Sequence, residues 1–303
     1  MVNKLPSGFF ISLSPLNNQL IMKYQNDCVR SLNRNEFNQL LELAHQEGWN
    51  PGIYDADSFY NTDPDGFMGY FIKGKLIGCI SAVAYDENYG FMGFFIVKPE
   101  FRKMGYGKKL WNAALNYLGD CNIGLDGTIE MKGKYEEYGF KEAYKSTRYK
   151  IIARKIENSG ETLPLKEINF AKLVTFDNFH FPTRRDVFLY NWIHQSEGQS
   201  FAVCTDDKIE GYIFIRKGLE GYRIGPLFAL THETADLLFS KAISWAPEGT
   251  PVFLDVPEIN PEALNLANKY QMEPDFKTVR MYTQQAPRIN MSGVYGVTNL
   301  ELG

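Results

Sequence analysis

From Asn33 onward, apolar residues recur at Phe37, Leu40, Leu41 and Ala44, a spacing that places them on one face of a helix. Asn33 can cap that helix, Glu36 stands at the third helical position as in a capping box, and Gly48 stops it. A second short helix is expected over 55–60. After the turn Asp63-Pro64-Asp65-Gly66 the period changes. Residues 67–72, 76–84 and 89–97 read as strands joined by Lys73-Gly74-Lys75 and Asp86-Glu87-Asn88, hence as consecutive antiparallel neighbours. Beyond Pro99 the helical period returns at Leu110, Trp111, Ala114, Leu115 and Leu118. A short strand over 122–125, a helix near 130–138 ended by Gly139, and a strand from about 143 to 152 follow.

Residues 153–164 hold Asn158, Ser159, Gly160 and Pro164 and read as a linker. Beyond them the same order repeats in outline. Helices near 169–179 and 184–195 precede strands near 200–205, 209–216 and 222–228; then come a helix near 232–245, a strand at 251–255, a helix at 261–270 and a strand at 276–283. Two copies of one topology, poorly matched in residue identity, point to a duplication. The length of 303 residues agrees, because a single core usually closes within about 100 to 200 residues. The division is then 1–27, an irregular extension with an edge strand at most; 28–152, a first domain; 153–164, the linker; 165–284, a second domain; and 285–303, a tail.

Composition narrows the function. Hydrophobic residues make up 44% and charged residues 22%, as in a folded globular chain with little disorder. A formal net charge of −4 provides no overall basic field for releasing counterions from a nucleic acid, so none is expected as partner. The local basic cluster Lys98, Arg102, Lys103, Lys108 and Lys109 surrounds a glycine loop and suits one small polyanion. Cys28, Cys79, Cys121 and Cys204 form no CxxC pair and read as buried thiols in a reducing compartment. The N-terminus lacks a basic segment followed by an apolar run, and no apolar stretch approaches the roughly 20 residues that span a bilayer. A cytoplasmic protein with no membrane partner is expected. His180, His194 and His232 lack metal-ligand spacing, and no metal is expected.

The segment that carries chemistry is Lys98-Pro99-Glu100-Phe101-Arg102-Lys103-Met104-Gly105-Tyr106-Gly107, between a strand and an amphipathic helix. Backbone N–H groups at a helix N-terminus point outward, and the helix dipole adds positive charge, so this loop can cradle a phosphate or pyrophosphate. Gly105 and Gly107 would let the backbone approach the anion, with Arg102 and Lys108 adding charge. A lone Gly-x-Gly is a weak signal and also fits an ordinary loop before a surface helix. The dinucleotide fingerprint of a parallel βαβ unit does not apply, because the preceding strands are hairpin-linked.

The run Val97-x-Pro99-x-Phe101-Arg102-x-x-Gly105-x-Gly107-x-x-Leu110 resembles motif A of the GCN5-related N-acetyltransferases (GNAT family). Tyr135-Glu136-Glu137-Tyr138-Gly139-Phe140 resembles motif B of that family, with a Tyr four residues before Gly-Phe. The resemblance covers residues 28–152 and implies a mixed α/β (α+β) fold: two tandem GNAT-type domains, each a mostly antiparallel central sheet with helices on both faces. The second half lacks Arg-x-x-Gly-x-Gly at Gly225-Pro226-Leu227-Phe228-Ala229-Leu230-Thr231-His232-Glu233, so a degenerate copy is implied there. Phe253-Leu254-Asp255-Val256-Pro257, Asn260-Pro261 and Arg280-Met281-Tyr282 resemble the C-terminal domain of the bacterial YitH-like group.

The resemblance also implies roles. Acetyl-CoA would lie where the fourth and fifth strands splay, its pantetheine arm pairing with Phe95, Ile96 and Val97, its pyrophosphate on the amides of Arg102, Lys103, Met104, Gly105, Tyr106 and Gly107, with Lys108 beside it. An amine attacks the thioester directly through a tetrahedral intermediate, and Tyr135 matches the position that protonates the thiolate. For the base, Asp126 after the fifth strand and Glu130 at the next helix are candidates, Asp126 the one retained, although Asp126-Gly127 is also an ordinary turn dipeptide. Trp49 and Tyr54, near His45 and between the first two helices, would line an amine pocket or simply pack the loop onto the sheet. The acceptor is expected to be a small-molecule primary amine, with a protein lysine or N-terminus as the alternative and a non-catalytic acyl-CoA sensor as a third reading. The second domain would close the acceptor pocket or form a homodimer interface.

Overall fold

The computed structural model describes residues 27–303, so all of the expected N-terminal extension except Asp27 lies outside the described residues. The first half runs β1 (Cys28–Ser31), α1 (Arg34–Gln46), α2 (Asp55–Thr62), β2 (Phe67–Ile72), β3 (Lys75–Ala84), β4 (Tyr89–Val97), α3 (Tyr106–Leu118), β5 (Asn122–Thr128), α4 (Lys132–Glu136) and β6 (Lys141–Ile152). The second runs α5 (Phe170–His180), α6 (Asp186–Ile193), β7 (Gly198–Thr205), β8 (Lys208–Lys217), β9 (Tyr222–Ala229), α7 (His232–Trp245), β10 (Pro251–Pro257), α8 (Pro261–Lys269), β11 (Glu273–Tyr282) and β12 (Val294–Gly296). The capping box on α1 is formed by both partners, Asn33 and Glu36. The helical period of α3 buries Leu110, Trp111, Ala114 and Leu118.

The two expected sheets are continuous. Among the described residues all twelve strands belong to one sheet, ordered β1-β2-β3-β4-β5-β11-β6-β10-β9-β8-β7, with β12 pairing beside β9. Neighbours are antiparallel except for β4 with β5 and β9 with β10. The centre is an exchange: β11, the last long strand of the second half, pairs with β5, while β6 of the first half pairs with β10. Removing the second half at 153–164 therefore does not leave a closed sheet; it takes β11 away from β5 and β6. The linker itself is docked, since Leu163 and Ala202 exchange backbone hydrogen bonds at 2.9 and 2.8 Å.

Alternating side chains send each strand's apolar residues to both faces. In the first half α3 packs with Ile80, Met92 and Leu125 on one face, while α1 and α2 pack with Cys79, Phe94 and Ile96 on the other. Phe188 and Trp192 of α6 join that second cluster, with Phe59 stacked on Trp192 at 5.8 Å, so the halves share a core. The segment 285–303 is no loose tail. Its last ten residues carry β12 and are buried almost throughout, with Asn299 and Leu302 at 0% exposure.

Candidate functional site

Strands β4 and β5 pair in parallel only over Tyr89–Met92 and Asn122–Leu125. Beyond Met92, β4 kinks: Phe94 adopts φ 46°, and the register with β3 shifts between Cys79 and Ser81. The bulge turns β4 away from β5, and the strands diverge around a cavity of about 620 Å³. Phe95, Ile96 and Val97 line one wall, Leu125 and Asp126 the other. Trp111, Tyr135 and the loop residues Arg102, Lys103 and Gly107 also line it.

The two loop glycines have different causes. Gly105 is the residue before α3 and adopts φ 85°, a left-handed conformation that side chains disfavour. A Cβ on Gly107 would stand 3.1 Å from the Phe95 ring, so Gly107 seats the first turn of α3 against β4. No side chain caps α3, which leaves its first amides without a local acceptor. Arg102 lies across the end of β4, donating from Nε to the Val97 carbonyl at 2.8 Å and pairing with Glu47. Met104, 60% exposed, and Gly105, Tyr106 and Lys108 flank the cavity without lining it.

Tyr135 stacks on Trp111 at 5.5 Å, and burial pushes its phenol up to about 12, so it keeps its proton through the neutral range. Asp126 corrects two expectations. It stands inside β5, not after it, and Asp126-Gly127 continues the strand opposite Arg280 and Val279. Its carboxylate accepts a fork from Arg280 Nε at 2.8 Å and Nη2 at 2.6 Å, and its side chain has no exposed surface. Burial raises its carboxyl above the ordinary value against the pull of Arg280. Glu130 lies in a short 3-10 turn and does not line the cavity.

Trp49 lines the cavity and stacks on Phe94 at 6.5 Å. Tyr54 does not line it: it is 40% exposed and donates its hydroxyl to Glu197 at 3.1 Å. Trp49 follows Gly48, which turns the chain at φ 78° after α1, and Tyr54 is the residue just before α2. Phe276 and Thr278 of β11 and Leu300 and Glu301 beyond β12 also line the cavity. No local periodicity marks these residues, because the exchange of strands brings Phe276 and Thr278 there and the segment after β12 brings Leu300 and Glu301.

The second half contains the matching splay. Strands β9 and β10 pair in parallel over Tyr222–Ile224 and Val252–Leu254 and then part. There the chain fills the gap itself: Val294 and Gly296 pair with Phe228 and Leu227 of β9, and Val297 N–H donates to the Asp255 carbonyl of β10 at 3.0 Å. Among the described residues no group of His, Cys, Asp and Glu has a metal-holding arrangement, and no helix is long and apolar enough to cross a membrane.

Two family models match the chain: one described as "Acetyltransferase (GNAT) family" over residues 34–140 and one described as "Acetyltransferase (GNAT) domain" over 173–296. The chain is similar to a holothin acyltransferase of Pseudoalteromonas sp. (strain SANK 73390), 28% identical over 94% of this chain and 97% of the relative. It is similar to an uncharacterized N-acetyltransferase, YitH, of Bacillus subtilis (strain 168), 22% identical over 91% of this chain and 99% of the relative. Among solved structures, a putative acetyltransferase from Pyrococcus horikoshii superposes with a TM-score of 0.78 at 19% identity, covering 92% of this chain and 96% of that one.

Proposed function

The chain belongs to the GNAT family of acetyltransferases, with a family domain in each half, and from that premise we propose that its first half binds acetyl-CoA between β4 and β5 and acetylates a primary amine of a small molecule. The observation that carries this is the strand edge of β4 beyond Met92, which has no β5 partner, leading into the uncapped N-terminus of α3. Such an edge suits the amides of an extended ligand, and bare helix amides suit its phosphates. Gly107 keeps the turn close to Phe95, and Lys103 and Arg102 add charge at the same mouth.

Bound acetyl-CoA would supply an acyl group activated as a thioester. The chain's own contribution is to exclude water with Trp49, Phe94 and Phe276, and to hold a proton on the Tyr135 phenol as general acid. A small acceptor is favoured because β11 and residues 300–301 wall the cavity, where an open groove would suit a protein chain. The name of the holothin acyltransferase relative agrees with acyl transfer. Asp126 is not carried as the base, since both its oxygens are engaged by Arg280.

Calorimetric titration of acetyl-CoA into the wild type and a Gly105→Glu/Gly107→Glu variant tests the reading. Micromolar binding of one equivalent, lost in the variant, is expected. A wild type that binds no acetyl-CoA overturns it.

A further inference from the structure

Of the carboxylates that line the cavity, Glu301 is the one most loosely held, by a single long ion pair to Arg223. Glu47 pairs with Arg102, Arg148 forks onto Asp255 at 2.6 and 2.9 Å, and Asp126 is held by Arg280. Glu301 is 4% exposed and lines the cavity. Its Oε1 has a single long contact, 3.5 Å from Arg223 Nη1, and its Oε2 accepts only the Leu300 N–H at 3.1 Å. Arg223 itself is better engaged elsewhere, with Asp255 at 2.9 Å and the Asn50 carbonyl at 3.0 Å. A buried carboxylate with acceptor capacity to spare, in a cavity whose apolar lining includes Trp49, Phe94, Phe276 and Leu300, can receive a cation.

The backbone fixes Glu301 in that position. Asn299, fully buried, accepts from the N–H groups of Glu301 and Leu302 at 3.0 and 2.6 Å, tying residues 299–302 into a turn. Gly93 of the β4 bulge makes room for it, since a Cβ there would stand 2.1 Å from the Glu301 carbonyl oxygen.

We propose that Glu301, delivered by the segment that follows β12, is the catalytic residue that anchors the acceptor's amine and takes its proton, and that the acceptor is an apolar primary alkyl amine carrying an aromatic ring. This rests on the acetyltransferase reading above. An alkyl amine arrives protonated at neutral pH. One ammonium N–H bond breaks, its electron pair stays on nitrogen, and an O–H bond forms at Glu301, leaving a neutral nucleophile and a neutral carboxylic acid.

The test uses 2-phenylethylamine and its neutral counterpart 2-phenylethanol, titrated calorimetrically into the full chain without acetyl-CoA. The wild type is expected to prefer the amine by roughly tenfold, as a charge-assisted hydrogen bond allows. Glu301→Gln should abolish the preference and Glu47→Gln should keep it. A wild type without preference, or a preference that survives Glu301→Gln or is lost in Glu47→Gln, overturns the proposal; the wild-type and Glu47→Gln results decide even where Glu301→Gln does not fold. Failure of acetyl-CoA to bind sinks the underlying reading instead, and that titration is separate from this one.

Discussion

The two splays are built alike and end differently. In each, a parallel pair of strands parts after a few residues beside a glycine whose missing Cβ admits the same returning segment: Gly93 against the Glu301 carbonyl, and Gly225 where a Cβ would stand 2.0 Å from the Thr298 carbonyl oxygen. Past the glycine, the first strand leads through residues 98–105 to a helix with bare amides, while the second reaches α7 across only Leu230 and Thr231. Thr231 caps α7 by accepting from the Thr234 N–H at 3.2 Å, and β12 occupies the gap between β9 and β10. The lesson is that a binding slot can be retired by the protein's own backbone: residues 294–297 satisfy the groups of one splay, and the same segment continues as a wall of the other.

The central exchange shows the same pairing twice. Asp126 of β5 stands opposite Arg280 of β11, and Asp255 of β10 stands opposite Arg148 of β6. A carboxylate forked by the opposite strand's arginine in the filled splay too, where Arg223 adds a second contact to Asp255, argues that Asp126 locks strands together. Arg280→Met is the largest break available to this symmetry, because it strands a buried carboxylate. It should cost about 3–5 kcal/mol, whereas Asp126→Leu/Arg280→Met should recover most of that. Urea unfolding midpoints measure both; a single variant as stable as the double would remove the ion pair from the fold's support.

Helix α4 and helix α8 differ at one position that matters. The Phe140 N–H closes onto the Tyr135 carbonyl at 3.2 Å and the Met272 N–H onto the Ala267 carbonyl at 3.0 Å, with Gly139 and Gln271 both at positive φ. Tyr135 therefore corresponds to Ala267. Tyr135→Phe should slow turnover about a hundredfold while leaving acetyl-CoA affinity unchanged. With its phenol at about 12, the wild-type rate should show no alkaline fall from this group through pH 10. An unchanged turnover number in steady-state assays would take Tyr135 out of the reaction.

Much of this architecture is legible in the chain because it is local. The hairpin turns place β2 and β4 at the residues expected, and the period of three to four finds α1 and α3. The tandem repeat is legible too, and the structure sharpens it: Lys145-Ser146-Thr147-Arg148 of β6 and Lys277-Thr278-Val279-Arg280 of β11 each end on the arginine that stands opposite an aspartate, Asp255 and Asp126 respectively. What stays hidden is what depends on distant partners. Strand β5 extends through Asp126-Gly127 because Arg280 waits opposite, while the dipeptide alone reads as a turn. β1 has four residues, too few to show alternation. Residues 298–303 look like polar loop and are buried, since their hydrogen-bond partners Arg185 and Arg223 come from elsewhere in the second half. That is why Glu301 is invisible in the sequence and Tyr54 misleading.

The smallest prediction separates the two causes that could have retired the second splay, the helix cap and the inserted strand. Thr231→Ala removes the only side-chain acceptor found at the N-terminus of α7 and should cost about 1 kcal/mol in thermal or urea unfolding. It frees amides in the position that α3 leaves bare, so if capping alone excluded a ligand, a second equivalent of acetyl-CoA would bind. β12 still holds β9 and β10 through Val294, Gly296 and Val297 in this variant. A stoichiometry of one per chain is therefore expected to persist in calorimetry. Two equivalents would assign the difference between the halves to Thr231, because an edge already paired with backbone has no donors or acceptors left for an extended ligand.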